Sequence, residues 1–361
     1  MKIAVVGATG LVGSVMLQVL QERGFANCEV LAAASPKSVG KEIDFAGRKL
    51  KVMRVEDAIA KHPQFAVFSA GASASRHYAP LFAAEGCIVI DNSSCWRMHH
   101  DVPLVVPEIN IDTVKPDTRI IANPNCSTIQ MVLALSRLHW HYRIRRLVVS
   151  TYQSITGTGI RAVRQLEEEE HYFSTHTVAS SRLRHEMEKT LGERYQPAYP
   201  NQIFRNLFPH GGDFLPDGYT TEEEKLVNET RKILDAPDIM VSATVVRVPV
   251  VGGHSESVNV EFHNEYDIAE ARRLLADTPG ITLCDDPSEN RYPTPVMSHN
   301  RDEVFVGRVR RDPSQPRTLN LWVVADNLRK GAATNAIQIL ESLTQKATSN
   351  YKKNLCNENS W

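Results

Sequence analysis

Three glycines near the start constrain what this chain can fold into more than any other feature. The sequence opens MKIAVVGATGLVG, so Gly7, Gly10 and Gly13 follow an apolar run at 3–6 and precede helically spaced apolar residues at 12–21. Glycine permits a tight turn and lets the backbone come close to a pyrophosphate. The helix that follows points its free N–H groups and positive dipole end at the phosphates. Strand, glycine turn and helix in that order predict a Rossmann-type dinucleotide site, with Gly7 and Gly10 at the cofactor.

The alternation continues. Strands are expected at 29–34, 66–69 and 87–91, with a helix at 78–84, and this pattern argues for a parallel sheet with crossover helices. The second strand runs into Ser35-Pro36-Lys37-Ser38 and lacks the carboxylate that usually binds an NAD ribose. Ser35, Lys37 and Ser38 supply two hydroxyls and a cation, so NADP is expected rather than NAD. A helix is expected at 127–138. Beyond it the strands lengthen and alternate, at 147–152, 244–250, 257–262, 303–310 and 318–325, with helices at 160–173, 222–234 and 268–276. Alternation suits a sheet with one buried and one wetter face. The glutamates at 167–170 read as a solvated helix face. A last helix, at 331–347, returns to the first domain, and the polar tail at 348–361 reads as loose.

The expected fold is therefore α/β. A Rossmann-type NADP-binding domain at 1–126, joined by a C-terminal helix at 327–347, stands beside an α+β catalytic and dimerisation domain with a large mixed sheet at 127–326.

Lys and Arg total 41 against 42 Asp and Glu, so no global charge draws the chain to nucleic acid or an anionic membrane. No apolar stretch has the length of a membrane span, and the N-terminus reads as a strand rather than a signal peptide, which favours the cytoplasm. The six cysteines form no Cys-x-x-Cys pair and suggest neither a disulfide framework nor a zinc site. His99-His100 and His139-x-His141 lack helical metal spacing, and no metal is expected.

One cysteine has a distinctive setting. Cys126 lies in Asn123-Pro124-Asn125-Cys126-Ser127-Thr128. Pro124 biases Asn123 away from helix, which makes Asn125 or Cys126 the cap. A thiol there sits at the positive end of a helix, where thiolate is favoured and backbone N–H groups can face an oxyanion. His254 follows Gly252-Gly253, read as a sharp turn between strands that leaves the imidazole at its edge. Imidazole titrates near neutral pH, as a partner base must. Arg247 on the incoming strand could hold a carboxylate by a bidentate pair.

Together with Asp91 to Met98, Val105 to Asn110, Thr151-Tyr152-Gln153, Val227 to Thr230 and Asp326 to Ala333, these strings resemble the aspartate-β-semialdehyde dehydrogenase family from Lys2 to about Leu343. The resemblance implies reductive dephosphorylation of L-aspartyl-4-phosphate to L-aspartate-4-semialdehyde with NADPH, on the route to lysine, threonine, methionine and isoleucine. It implies Cys126 as acyl-forming nucleophile, His254 as acid/base and Gln153 as orienter of the acyl group. Arg247 would bind the substrate carboxylate and Glu222 its amino group. Arg97 and Lys225 would hold phosphate, with Asn125 in the same substrate site. Thr9, Gly10, Leu11, Val12, Lys37, Ser38, Thr156, Gly157 and Asn327 would contact NADP. A homodimer or homotetramer is implied.

The alternatives are another cysteine acyl-phosphate reductase, such as one for N-acetylglutamyl phosphate, and a non-catalytic NADP-binding homologue. The chain departs from the family in having Lys37 where many members have Arg. That predicts weaker discrimination against NAD, because an ammonium cannot stack on adenine. The segment Pro209 to Phe214 also departs from the family pattern.

Overall fold

β1 (Lys2–Val6) is an inner strand of the first of two compact units, Met1–Asn125 with the C-terminal segment from Ala332, and Cys126–Gly331. The structure is a computed structural model that describes residues 1–345. The tail at 348–361 and the last two residues of the expected C-terminal helix lie outside the described residues.

In the first unit β1 is followed by β2 (Glu29–Ala33), β3 (Glu42–Phe45), β4 (Arg48–Lys51), β5 (Phe65–Phe68), β6 (Ile88–Asp91) and β7 (Ile120–Ala122). Five of these make a parallel sheet in the order β2-β1-β5-β6-β7. The period of two is visible in β1 itself. Ile3 and Val5 join Met16, Leu17 and Leu20 of the helix Leu11–Leu20, together with Ile337 and Leu340 of the C-terminal helix. Ala4 and Val6 join Ala79 and Phe82 of the helix Ala72–Ala84 on the opposite face. Both faces are covered, as parallel sheets require, and each fully buried Leu, Ile or Phe contributes roughly 1.5–3 kcal/mol.

The β3–β4 hairpin was not expected. Each strand is only four residues long and β4 carries Leu50 as its one apolar side chain, although Glu42, Ile43, Asp44 and Phe45 alternate and bury Phe45. The helix Ala72–Ala84 starts well before the expected 78, because its first turns are small and polar and show no apolar period.

The second unit holds β8 (Ile144–Gln153), β9 (Met240–Arg247), β10 (His254–Phe262), β11 (Ile281–Leu283), β12 (Val304–Arg311) and β13 (Thr318–Ala325) in a mixed sheet ordered β11-β12-β13-β10-β8-β9. The helix Cys126–Tyr142 lies on one face, with Ile129, Val132, Leu133 and Leu138 fully buried. The other face is partly open, with Tyr152 and Trp322 in contact across it.

Two expectations need correction. β9 and β10 are not a hairpin. β8 lies between them and pairs in parallel with β9, so the segment 248–253 crosses the end of β8. Local sequence cannot distinguish a turn from a crossing, because glycines serve both. The charge run at 167–170 is also not wholly solvated. Glu169 is fully buried and accepts hydrogen bonds from Gln165 Nε2 (2.7 Å), Tyr195 Oη (2.8 Å), Ile203 N (2.9 Å) and Phe204 N (2.7 Å). Its carboxyl is buried because the segment that follows folds back and supplies donors.

Candidate active site

The crossing over β8 assembles the site. β8 ends at Gln153, its register partner Arg247 ends β9, and His254 opens β10 on the other side. Val248 N donates to Gln153 O, and Ile155 N donates to Val250 O, which pins the crossing segment to the end of β8. Three strand ends thus present Gln153, Arg247 and His254 together. All three are buried.

Cys126 is the first residue of its helix, and its Sγ lies 3.2 Å from His254 Nε2. The other imidazole nitrogen, Nδ1, accepts from the Ser154 amide at 3.0 Å. An accepting Nδ1 places the ring proton on Nε2, facing sulfur. Complete burial, and then the Arg247 charge, push the imidazole pKa well below its usual value. The structure therefore sets a neutral imidazole, its Nε2–H turned to the Cys126 sulfur, at a helix N-terminus, a position that favours thiolate. Cys87 is the contrasting inert thiol, raised to about 12 by burial.

Arg247 donates from Nη1 to Ser154 O at 2.8 Å, while its buried Nε has no partner. An unpaired buried guanidinium N–H is costly, and a substrate carboxylate would satisfy it. Gln153 Nε2 donates to Ser127 Oγ at 2.9 Å. Glu222 and Lys225 form an ion pair on the first turns of the helix Thr221–Ile233. Gly211 and Gly212 let the chain lie against that turn. Gly212 has φ +77, and a Cβ there would fall 2.1 Å from Thr221 Oγ1, which accounts for the glycines in the departing segment.

In the same unit Thr156 Oγ1 donates to Asn327 Oδ1 at 3.0 Å, and a Cβ on Gly157 would sit 3.4 Å from the His254 ring. Gly331 lies in the Asp326-to-Ala333 string, but sequence reading gives it no role at the thiol. A Cβ there would lie 2.9 Å from Cys126 Cβ, so only glycine lets the turn Arg329–Ala333 pass the nucleophile. Ser154 acts through its backbone amide, which leaves no side-chain signature.

The first unit holds the remaining candidates. Arg97 donates from Nε to Asn123 O and from Nη2 to Asn92 O, both at 2.9 Å, and Asn125 is buried. Gly7 and Gly13 are needed for close packing of backbone. A Cβ on Gly13 would fall 2.1 Å from Gly7 O, and one on Gly7 would fall 2.3 Å from Ser69 O. The helix Leu11–Leu20 starts with Leu11 and Val12 directly after this turn, and Thr9 Oγ1 donates to Ser38 Oγ at 3.2 Å.

A cavity of about 200 Å³ lies beside Val6, Gly7, Ala34 and Ser35, and Arg54, Glu56 and Tyr78 form part of its wall. Glu56 accepts from Tyr78 Oη (2.9 Å) and pairs with Arg54 (3.4 Å). Lys37 does not line the cavity, so Arg54 is a wall cation that sequence reading did not identify. Among the described residues His99, His100 and Asp101 bring possible metal ligands together, all on one exposed loop. No helix among them is long and apolar enough to cross a membrane.

A parallel dinucleotide domain and a mixed-sheet unit carrying a cysteine–histidine pair define the class. The family described as "Semialdehyde dehydrogenase, NAD binding domain" matches residues 2–116, and "Semialdehyde dehydrogenase, dimerisation domain" matches 135–330. The aspartate-semialdehyde dehydrogenase of Aquifex aeolicus (strain VF5) is 47% identical over 96% of this chain and 98% of its own. That of Legionella pneumophila is 44% identical over 96% of each chain. The crystal structure of aspartate semialdehyde dehydrogenase II from Vibrio cholerae superposes with a TM-score of 0.88 at 42% identity, covering 95% of this chain and 98% of that one. The chain belongs to the aspartate-semialdehyde dehydrogenase family, dinucleotide-dependent oxidoreductases.

Proposed function

We propose that this chain reduces L-aspartyl-4-phosphate to L-aspartate-4-semialdehyde and phosphate with NADPH, through an acyl-thioester on Cys126. The contact between Cys126 Sγ and His254 Nε2 carries the reading. Arg247, through its unpaired Nε, takes the substrate carboxylate, and Glu222 takes the amino group. Arg97 and Lys225 would hold the phosphate, and Asn125 would serve the same substrate. The Cys126 thiolate attacks the acyl carbon, the C–O bond to phosphate breaks, and a thioester forms.

The glycine turn and the cavity beside Gly7 and Ser35 fit an adenosine dinucleotide, which Gly7, Thr9, Gly10, Leu11, Val12, Ser35, Lys37 and Ser38 of the first unit would hold; Thr156, Gly157 and Asn327 of the second unit are the further cofactor contacts that the family resemblance implies. When bound, NADPH supplies the hydride for the thioester carbon. His254 Nε2–H donates to the oxygen that gains charge in each addition, as a neutral imidazole can. Gln153 orients the acyl group. Expulsion of the Cys126 thiolate releases the aldehyde without an added proton. The proton consumed overall goes to the departing phosphate.

The relatives compared are aspartate-semialdehyde dehydrogenases, which does not favour the N-acetylglutamyl-phosphate alternative. We further propose a cytoplasmic homodimer or homotetramer, supported by the half-open sheet face at Tyr152 and Trp322. Sedimentation at low and high protein concentration tests this assembly.

Incubation with aspartate semialdehyde and NADP without phosphate should leave an acyl adduct on the peptide bearing Cys126, read by mass. Cys126→Ala should abolish phosphate-dependent NADPH formation and leave NADPH binding intact. Retained turnover would remove Cys126 from the mechanism.

A further inference from the structure

Behind the reactive pair lies a buried polar cluster with no role so far. On β10, Glu256 faces the same side as His254 and the core residues Val258 and Val260, so a carboxyl stands where the alternation calls for an apolar side chain. It is fully buried, and neither of its oxygens has a hydrogen-bond partner. Its register partner on β8 is Thr151, whose buried Oγ1 is also unpartnered, and on β13 it faces Val323. The polar group facing the carboxyl is the Gln130 amide, one helical turn beyond Cys126. Gln130 Nε2 donates to His254 O at 3.4 Å, and its buried Oε1 is unpartnered.

One proton accounts for all of these atoms. An ionised Glu256 could only accept, so it would take the second Nε2 hydrogen of Gln130 and leave Gln130 Oε1 without a donor. A neutral carboxyl can accept from Thr151 Oγ1 and donate to Gln130 Oε1, with Nε2 left on the His254 carbonyl. Buried polar groups are nearly always satisfied, so the arrangement that pairs every atom is the one to expect.

We propose that Glu256 is a positioning residue, held as a neutral carboxylic acid, that fixes His254 through the chain Thr151, Glu256, Gln130 and the His254 carbonyl. The charged or titratable neighbours are few. His254 shares its strand face, Cys126 heads the facing helix, and β8 and β13 present Thr151 and Val323. Burial drives the carboxyl far above the usual range, opposed only by the Gln130 amide.

The inference rests on the role given to His254, but its test does not need the substrate. Full-length protein labelled with carboxyl-¹³C glutamate should show a protonated-carboxyl stretch in the infrared at pH 8, and Glu256→Gln should lack it. The pH profile of Cys126 alkylation by iodoacetamide should be the same in Glu256→Gln as in the parent, because the amide keeps the donor and acceptor pattern. Glu256→Leu and Gln130→Met should each slow alkylation and turnover roughly 10–100-fold, the scale of a misplaced catalytic group. Glu256→Gln should restore most of that loss, and the double variant should be no worse than either single one. Should Glu256→Leu fail to fold, Gln130→Met and the infrared band still decide. Absence of the band would overturn the proposal. So would a thiol titration about one pH unit lower in Glu256→Gln, the mark of a lost negative charge.

Discussion

Glu169→Ala tests how the second unit holds its long excursion between β8 and β9. The native carboxylate satisfies Tyr195 Oη and the amides of Ile203 and Phe204, all within 2.9 Å. Alanine leaves these three donors without their acceptor at a fully buried position, while the fourth, Gln165 Nε2, keeps Asn201 O. Each such orphan costs about 1–3 kcal/mol, and partial relaxation brings the expected total to about 4 kcal/mol. The loss should be local, because these donors belong to the stretch 195–204, and it should propagate to Phe208. Phe208 exchanges both backbone hydrogen bonds with Arg247, so the substrate arginine would loosen as well.

A chain of two units need not unfold in one step, so a global midpoint is the wrong readout. Hydrogen exchange followed by mass spectrometry resolves the segment. A drop of about 4 kcal/mol in local opening energy speeds exchange of peptides covering 195–208 by roughly 1,000-fold. Peptides of the parallel sheet should be unchanged, and KM for the acyl substrate should rise more than that for NADPH. Exchange at 195–208 within about tenfold of the parent would refute the reasoning, because the orphaned donors must then have found other partners.

Gly13→Ala places a Cβ 2.1 Å from a backbone oxygen, so the turn must shift; NADPH affinity measured by fluorescence should fall at least about tenfold. Arg54→Ala should weaken binding of NADPH by roughly 5–30-fold in calorimetry with little change in kcat, because the lost cation lines the cavity proposed for the dinucleotide. For His254 the folded-state pKa is depressed, so stability is present above the unfolded value near 6.5 and is lost as pH falls toward the folded one. Calorimetry from pH 7.5 to 5 should show His254→Asn with a shallower acid decline, by up to about 1.4 kcal/mol per pH unit. Parallel declines would show that His254 is not the titrating group.

Much of the fold could be read along the chain, where the signal is local. The strand, glycine turn and helix at the N-terminus are short-range, and so are the alternation of Val258, Val260 and Phe262 and the helix start at Cys126. Glu169 and Glu256 show the limit. Each is one carboxylate in a pattern that reads as surface or strand, and each is buried among groups distant in sequence, Tyr195 and Phe204 for one, Gln130 and Thr151 for the other.

The sequence by itself determined the class of fold, the glycine turn for a dinucleotide and the thiol at a helix start, because turn chemistry and side-chain period act over a few residues. Only the tertiary structure decided which atoms meet. Strand order placed β8 between β9 and β10, and that insertion sets Ser154 N against His254 Nδ1, leaves the imidazole proton facing Cys126, and stations Arg247 beside them. Strand order is fixed by packing summed over the whole sheet, and no stretch of the chain records it alone.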